Sequence, residues 1–233
     1  MISDGGGCCK KSILAVDDFA SGGLDQWILV GGNSNSVKWR IDPKGGNGNS
    51  QALYFGNTTH DGYADSSVIE GGPKGMACIK PVTLKSGTVF NLVTFKLRME
   101  TEWSYLPKAQ YKNPALAGQP KFDHFAVTVD AGGKVKQAWS SDLIYGTTDG
   151  KWVDLIVPID TWQGKQVTIC VSFDAGDDKV NDKAGVHIDD FALKVACAFA
   201  CFFLLACLAR RLGAEREATA AAVMLAALLL QPR

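Results

Sequence analysis

Two carboxylates stand side by side in Val186-His-Ile-Asp-Asp-Phe, near the end of the part of the chain that alternates apolar and polar residues. Adjacent residues of a regular strand point to opposite faces, so either Asp189 or Asp190 would head for a core. A bulge that turned both to one side, with a hard cation between them, would compensate the charge. Ca²⁺ suits such a place because it takes roughly six to eight oxygens, carboxylates and backbone carbonyls among them. The other solution needs no metal: one aspartate accepts backbone N–H groups at a sheet corner and the other is solvated. A second oxygen-rich run, Asp177, Asp178, Asn181 and Asp182, lacks the spacing of an EF-hand loop and reads as a solvated acidic turn.

Groups for catalysis are few. The chain has no G-x-S-x-G elbow, no H-E-x-x-H and no phosphate-binding glycine loop ending in Lys-Ser/Thr. His60, His124 and His187 show no ligand-type spacing, and the last two read as strand histidines. Glu100 and Glu102 would share one strand face about 7 Å apart, as a glycosidase pair requires. Thr101 and Trp103 do not supply the further acid that jelly-roll glucanases use, and with Lys96 and Arg98 alongside, a solvated charged face is expected. No catalytic residue is therefore assigned. For recognition the better candidates are Trp103, Tyr105 and Tyr111 in the long irregular stretch from Trp103 to Lys121, whose rings suit stacking on sugar or peptide. A surface insertion whose aromatics fold back is the alternative.

These residues must be held by strands. About eleven runs of period-two alternation, separated by turn residues, are predicted: 13–19, 27–30, 37–41, 52–55, 77–84, 89–99, 122–129, 135–139, 152–158, 166–173 and 186–195. Within the longest, Phe95, Leu97 and Met99 fall on one face and Lys96, Arg98, Glu100 and Glu102 on the other. The 25 glycines, clustered with Asn, Asp and Ser, provide turn positions for many short antiparallel strands. The predicted fold is all-β, a two-sheet antiparallel jelly-roll sandwich over residues 12–195, preceded by a disordered segment 1–11 and followed by an apolar, helical tail 196–233. Lys+Arg and Asp+Glu each total 24, which leaves no basic surplus for a nucleic-acid backbone.

Seven cysteines divide unevenly along the 233 residues. Four precede the tail, permitting three pairings; Cys78 with Cys170 is attractive because both sit in strand-like runs, and buried free thiols are the alternative. The start lacks the basic, apolar, small-residue order of a secretory signal, so export by that route is not visible. In the tail, two apolar stretches of about 15 and 13 residues flank Arg210-Arg211 and Glu215-Arg216-Glu217, each shorter than the roughly 20 needed to span a bilayer. A short C-terminal membrane anchor with a basic stop is the favoured reading, ahead of a packed helical hairpin or a frame error in the coding sequence.

The stretch Trp152-Val-Asp-Leu-Ile-Val-Pro-Ile-Asp-Thr-Trp-Gln-Gly-Lys-Gln-Val, the pair Phe173-Asp174, an acidic loop and Gly185-Val-His-Ile-Asp-Asp resemble the end of MAM-like and cleaved-adhesin jelly rolls. Asp17-Asp-Phe-Ala-Ser-Gly-Gly-Leu-Asp-Gln-Trp, Pro81-Val-Thr-Leu-Lys-Ser-Gly-Thr and Phe122-Asp-His-Phe-Ala-Val-Thr-Val match earlier parts in order. The resemblance implies a surface or secreted bacterial protein that adheres or serves as an accessory module. It also places Asp17 and Asp18 beside the last strand, so that a calcium site would comprise Asp18 and Asp190 with Asp17 and Asp189 behind them. The expected function is a non-catalytic, calcium-stabilised, extracytoplasmic recognition module for glycan or a cell-surface protein, with a ligand-free structural role as the alternative and a glycan hydrolase behind both.

Overall fold

A computed structural model describes residues 12–48, 50–57, 62–65, 72–87, 89–102, 123–144, 146–176 and 181–197. Among the described residues are two short 3-10 turns, Ser141–Ile144 and Asp160–Trp162, and twelve strands: β1 (Ser12–Asp17), β2 (Trp27–Val30), β3 (Val37–Asp42), β4 (Ala52–Asn57), β5 (Lys74–Ile79), β6 (Val82–Thr83), β7 (Val89–Glu100), β8 (His124–Asp130), β9 (Val135–Ser140), β10 (Val153–Pro158), β11 (Gln166–Asp174) and β12 (Gly185–Cys197). One sheet runs β10-β7-β12-β4-β3 and the other β2-β5-β11-β8-β9; β1 joins the first sheet through β12, and β6 joins the second through β11. All pairings are antiparallel. The two-sheet jelly-roll sandwich expected from the alternation is the fold found. The disordered segment 1–11 and most of the tail 196–233 lie outside the described residues, although β12 continues to Cys197, two residues past the expected boundary.

Each sheet turns one face inward, as the period of two demands. Val93, Phe95, Leu97 and Met99 of β7 are buried, while the residues between them are only half-buried. Aromatic rings tie the sheets together. Trp27 of the second sheet meets Phe191 of the first edge-on at 5.0 Å, Phe55 meets Phe173 at 5.1 Å, and Phe95 meets Phe125 at 6.3 Å. Such pairs contribute about 0.5–1.5 kcal/mol each beyond the area they bury.

Two differences from the sequence reading have clear causes. The run 77–84 is not one strand. Cys78 pairs with Cys170 but Val82 pairs with Val167, so one extra residue sits between β5 and β6. Pro81, which has no N–H to give a ladder, occupies the break. Glu102, expected on the solvated face with Glu100, is buried instead. β7 ends at Glu100, and beyond it the Glu102 carboxylate accepts the Asp123 backbone N–H while its own N–H donates to Asp123 Oδ2 at 2.8 Å.

Cys78 and Cys170 lie directly opposite one another on β5 and β11 and are joined by a disulfide. The bond closes a long loop, with 92 residues of sequence separation, and so removes much freedom from the unfolded chain. Replacing both cysteines by alanine is expected to cost about 2–4 kcal/mol in urea unfolding, with the slope against urea increased by the more open unfolded state. An unchanged midpoint would mean that the cross-link contributes nothing to stability.

Candidate functional site

The outward face of the first sheet carries a continuous row of polar and aromatic side chains. Strand registers place Arg40 opposite Tyr54, Tyr54 opposite His187, and His187 opposite Arg98. The Arg40 guanidinium lies 4.8 Å from the Tyr54 ring centre, the Tyr54 and His187 rings stack at 4.2 Å with planes 20° apart, and the Arg98 guanidinium lies 5.3 Å over Trp152. Two cations, Arg40 and Arg98, therefore flank the stacked Tyr54–His187 rings, with Trp152 beyond, across β3, β4, β12, β7 and the entry to β10.

The row is set by the backbone on both sides. Tyr54 needs space for its ring, and the neighbouring outward position of β4 is Gly56, where a Cβ would sit 1.9 Å from Tyr54 Cζ. Gly185 opens β12 at φ +77°, and a Cβ there would meet the Phe55 carbonyl at 2.5 Å. At the far side β10 begins only at Val153, and the turn before it is fastened to the end of β7: Thr148 N and Gly150 N donate to the Met99 carbonyl at 3.0 and 3.2 Å, and Met99 N donates to Thr148 Oγ1 at 2.8 Å. Gly150 thus stands beside Glu100.

Between these parts is a recess of about 240 Å³ lined by Asp42, Tyr54, Arg98, Glu100 and His187 together with Gly150, Ala184 and Gly185. His187 Nε2 lies 3.2 Å from Asp42 Oδ2, and Lys183 Nζ lies 3.9 Å from Glu100 Oε1. Burial pushes His187 below its ordinary pKa of 6.5, against the hydrogen bond to Asp42, which favours the cation. His187 is therefore neutral at neutral pH and donates from Nε2. That hydrogen bond, helped by one from Lys44 N, lowers Asp42 from 3.8 to about 2. Acidic and basic groups balance around the recess, and the directional donors and acceptors left on its walls suit an uncharged, hydroxyl-rich ligand better than an anion.

The four aspartates assigned to calcium are distributed differently. β12 does bulge: Asp189 pairs with Lys96 and Ala192 with Thr94, leaving Asp190 and Phe191 opposite Phe95 alone. Asp190 takes φ +50°, Phe191 goes into the core, and both acids stay on the outer side. There the buried Asp189 accepts Asn47 N and Ser50 Oγ at 2.9 Å on Oδ2 and Asp190 N at 2.7 Å on Oδ1. Asp190 Oδ2 meets the Lys96 ammonium at 2.9 Å, so a protein cation stands beside it. Asp17 is beside β12, paired with Phe191, but its oxygens accept Phe19 N and Trp27 Nε1 at 2.8 Å each. Asp18 accepts Ala20 N and shares a groove with Asp190. In this arrangement the acids do not form a cation cage, and among the described residues no group of three His, Cys, Asp or Glu converges on a metal position.

Trp103, Tyr105, Tyr111, Asp177, Asp178 and His60 lie outside the described residues. The recess residues were in view in the sequence, Arg98, Glu100 and His187 by name, yet nothing there linked β3 and β4 to them, because β4 meets β12 across more than 130 positions.

No family model matches the chain, and no curated protein sequence matches it. Solved structures are similar. TmCBM61 in complex with β-1,4-galactotriose shares 18% identity over 76% of this chain and 92% of its own, with a TM-score of 0.45. A cleaved adhesin domain of Lys-gingipain from Porphyromonas gingivalis shares 14% over 79% and 97%, TM-score 0.46. The family 11 carbohydrate-binding module from Clostridium thermocellum, with a mixed-linked tetrasaccharide, shares 14% over 78% and 94%, TM-score 0.38. Cleaved-adhesin domains, one of the two kinds the C-terminal motifs resemble, are thus among its structural neighbours.

The neutral, buried His187 ties stability to pH. The unfolded histidine takes a proton near pH 6.5 whereas the folded one resists it, so its contribution is complete above 6.5 and is lost as pH falls toward the lowered folded value. A second loss, from Asp42, comes only between about 3.8 and 2. Thermal midpoints across pH 7.5 to 4.5 are expected to fall below about 6.5 in the native chain, and the His187→Gln variant to lose that slope. Equal slopes in both proteins would place the proton uptake elsewhere.

Proposed function

We propose that the sandwich is a non-catalytic recognition module that binds a neutral glycan in the recess between Asp42, Arg98, Glu100 and His187. The convergence of these four groups with the Tyr54 ring, on the open face of a rigid sheet, carries the reading. Trp152, half-buried beneath Arg98 at the flank of the row, offers an apolar edge for a sugar ring. A role without turnover is supported by the fate of the carboxylate pair: Glu100 faces the recess, while Glu102 is buried behind the strand end against Asp123. A hydrolase built on that pair would need both beside one bond.

Binding is best measured by affinity electrophoresis of the full chain in neutral and acidic polysaccharides, followed by titration with the best oligosaccharide. Arg98→Ala and Glu100→Gln are expected to weaken it at least about tenfold, which is roughly 1.4 kcal/mol, without lowering the melting midpoint appreciably. The aromatics of 103–121 give the competing location. Should Trp103→Ala and Tyr111→Ala abolish binding while the recess variants leave it intact, the ligand belongs to that segment, as it would for a protein partner gripped there. No binding to any glycan would favour a structural or accessory domain.

Residence outside the cytoplasm is supported by the Cys78–Cys170 disulfide, a bond that persists in oxidising compartments. Calcium stabilisation is a separate and narrower proposal. Asp18 and Asp190 share a groove, and a cation there would have to draw Asp190 away from Lys96. Melting with millimolar calcium and with excess chelator decides it. A site filled to about a hundred times its dissociation constant adds roughly 2.7 kcal/mol, or about 5–10 °C here. An unchanged midpoint leaves the hydrogen bonds of Asp189 and the Lys96 contact of Asp190 as the account of the paired acids.

A further inference from the structure

Below the bulge, the same outward face carries a groove of about 600 Å³ that the recess does not use. Registers set Val16, Ala192, Thr94 and Ile156 side by side across β1, β12, β7 and β10. The small residues form the floor and the large ones the walls, and the walls are wet: Val16 is 51% exposed, Ile156 64% and the neighbouring Ile13 60%. Three large aliphatic side chains around one trough make an apolar patch that a folded chain ordinarily covers. One end of the trough is acidic. Asp18, Asp154 and Asp190 line it there with Lys96, whose ammonium reaches Asp190 at 2.9 Å and Asp154 at 3.4 Å. Three carboxylates against one ammonium leave two negative charges. At the opposite end is Lys194, near the point where β12 leaves the sheet at Cys197.

We propose that the chain's own segment 198–211 occupies this groove, its uncharged residues 198–209 on the aliphatic walls and Arg210-Arg211 at the acidic end. Reach, composition and charge agree. From Cys197 back to the acidic end at Asp190 is seven strand residues, about 23 Å. The twelve residues 198–209 fall short of this at about 18 Å if fully helical and exceed it at about 40 Å if extended, so a largely extended run after a turn at Cys197 brings Arg210 to the acids. Those twelve residues carry no charge and include Phe199, Phe202, Phe203, Leu204, Leu205 and Leu208. They are too few to cross a bilayer of hydrocarbon, which takes about 20, and enough to fill a trough. Two arginines match the two uncompensated negative charges.

Trypsin cutting at Arg210 and Arg211 in the full chain reads the docked fraction, because cleavage follows the population of the open form. Ile156→Asp is expected to speed the cut about tenfold, as is Asp154→Arg, while the midpoint of sandwich melting reports that each variant is folded. Ile156→Leu should cut like the native chain. Pairing Asp154→Arg with Arg210→Asp should restore protection at Arg211, an outcome that general loosening of the sheet does not produce. Equal cutting rates in the native chain and the two groove variants would overturn the proposal. Protection that disappears on tenfold dilution would overturn it in favour of a second copy in the groove. Segment-dependent sedimentation with phosphatidylcholine vesicles, unaffected by Ile156→Asp, would overturn it in favour of a membrane anchor.

Discussion

The arrangement of the first sheet depends on how its central strand disposes of two adjacent carboxylates. β12 lies between β7 on one side and β4 and β1 on the other, so a charge aimed inward at its midpoint would fall in the middle of the sandwich. The bulge at Asp190 avoids this by placing one additional residue between Asp189 and Phe191, which keeps the outer phase for the acids and restores the inner phase at Phe191. Phe191 then reaches Trp27 across the interface and lies 6.4 Å from Phe95. Beyond the bulge the strand changes partner, from β4 at Ile188 to β1 at Phe191. One local irregularity therefore fixes the hand-over between two neighbours, the packing of the inter-sheet rings and the division of the outer face into a polar recess and an apolar groove.

Hydrogen bonds explain why Asp189 can be buried. A carboxylate that accepts two backbone N–H groups and a hydroxyl has replaced much of its hydration with fixed dipoles. Those donors are Asn47 N, Ser50 Oγ and the bulge's own Asp190 N, so the same contacts that satisfy the carboxylate also fasten Asn47 and Ser50 to β12. Asp17 performs the equivalent task at the start of the chain, holding the backbone at Phe19 and the indole of Trp27. Acids that read in sequence as a ligand set are here mostly occupied in structural bonds.

Much of the fold could be read because its rules are local. Alternation in β7, β8, β11 and β12 and the glycine-rich turns between strands follow from residues close in sequence. The motifs that carry the family resemblance are structural corners of the same kind. Trp162 is buried at a short turn that Asp160 organises by accepting Asn91 N at 2.7 Å, and Gly164 at φ +71° closes it. They announce the architecture and say nothing of a ligand. The break at Pro81 was legible in the residue itself, whereas the inward turn of Glu102 depends on where β7 loses its neighbour, which no local pattern records.

The recess was least legible, and the reason is physical. Its members are ordinary alternating residues of four strands, polar because they face outward, and each alone reads as a solvated side chain. Only cross-strand pairing over 145 positions brings His187 to Asp42 and converts a strand histidine into a buried, neutral donor beside a low-pKa carboxylate. Burial on an outward face is itself informative. Tyr54 and His187 point away from the core yet are only 3% and 4% exposed, because Arg40, Arg98 and the glycine-lined strand ends close around them. An outer face that needed only solubility would leave such positions to freely hydrated side chains. Ordering cations and rings into one row costs side-chain freedom, and a polar wall already ordered in this way has less freedom left to lose in any contact it makes.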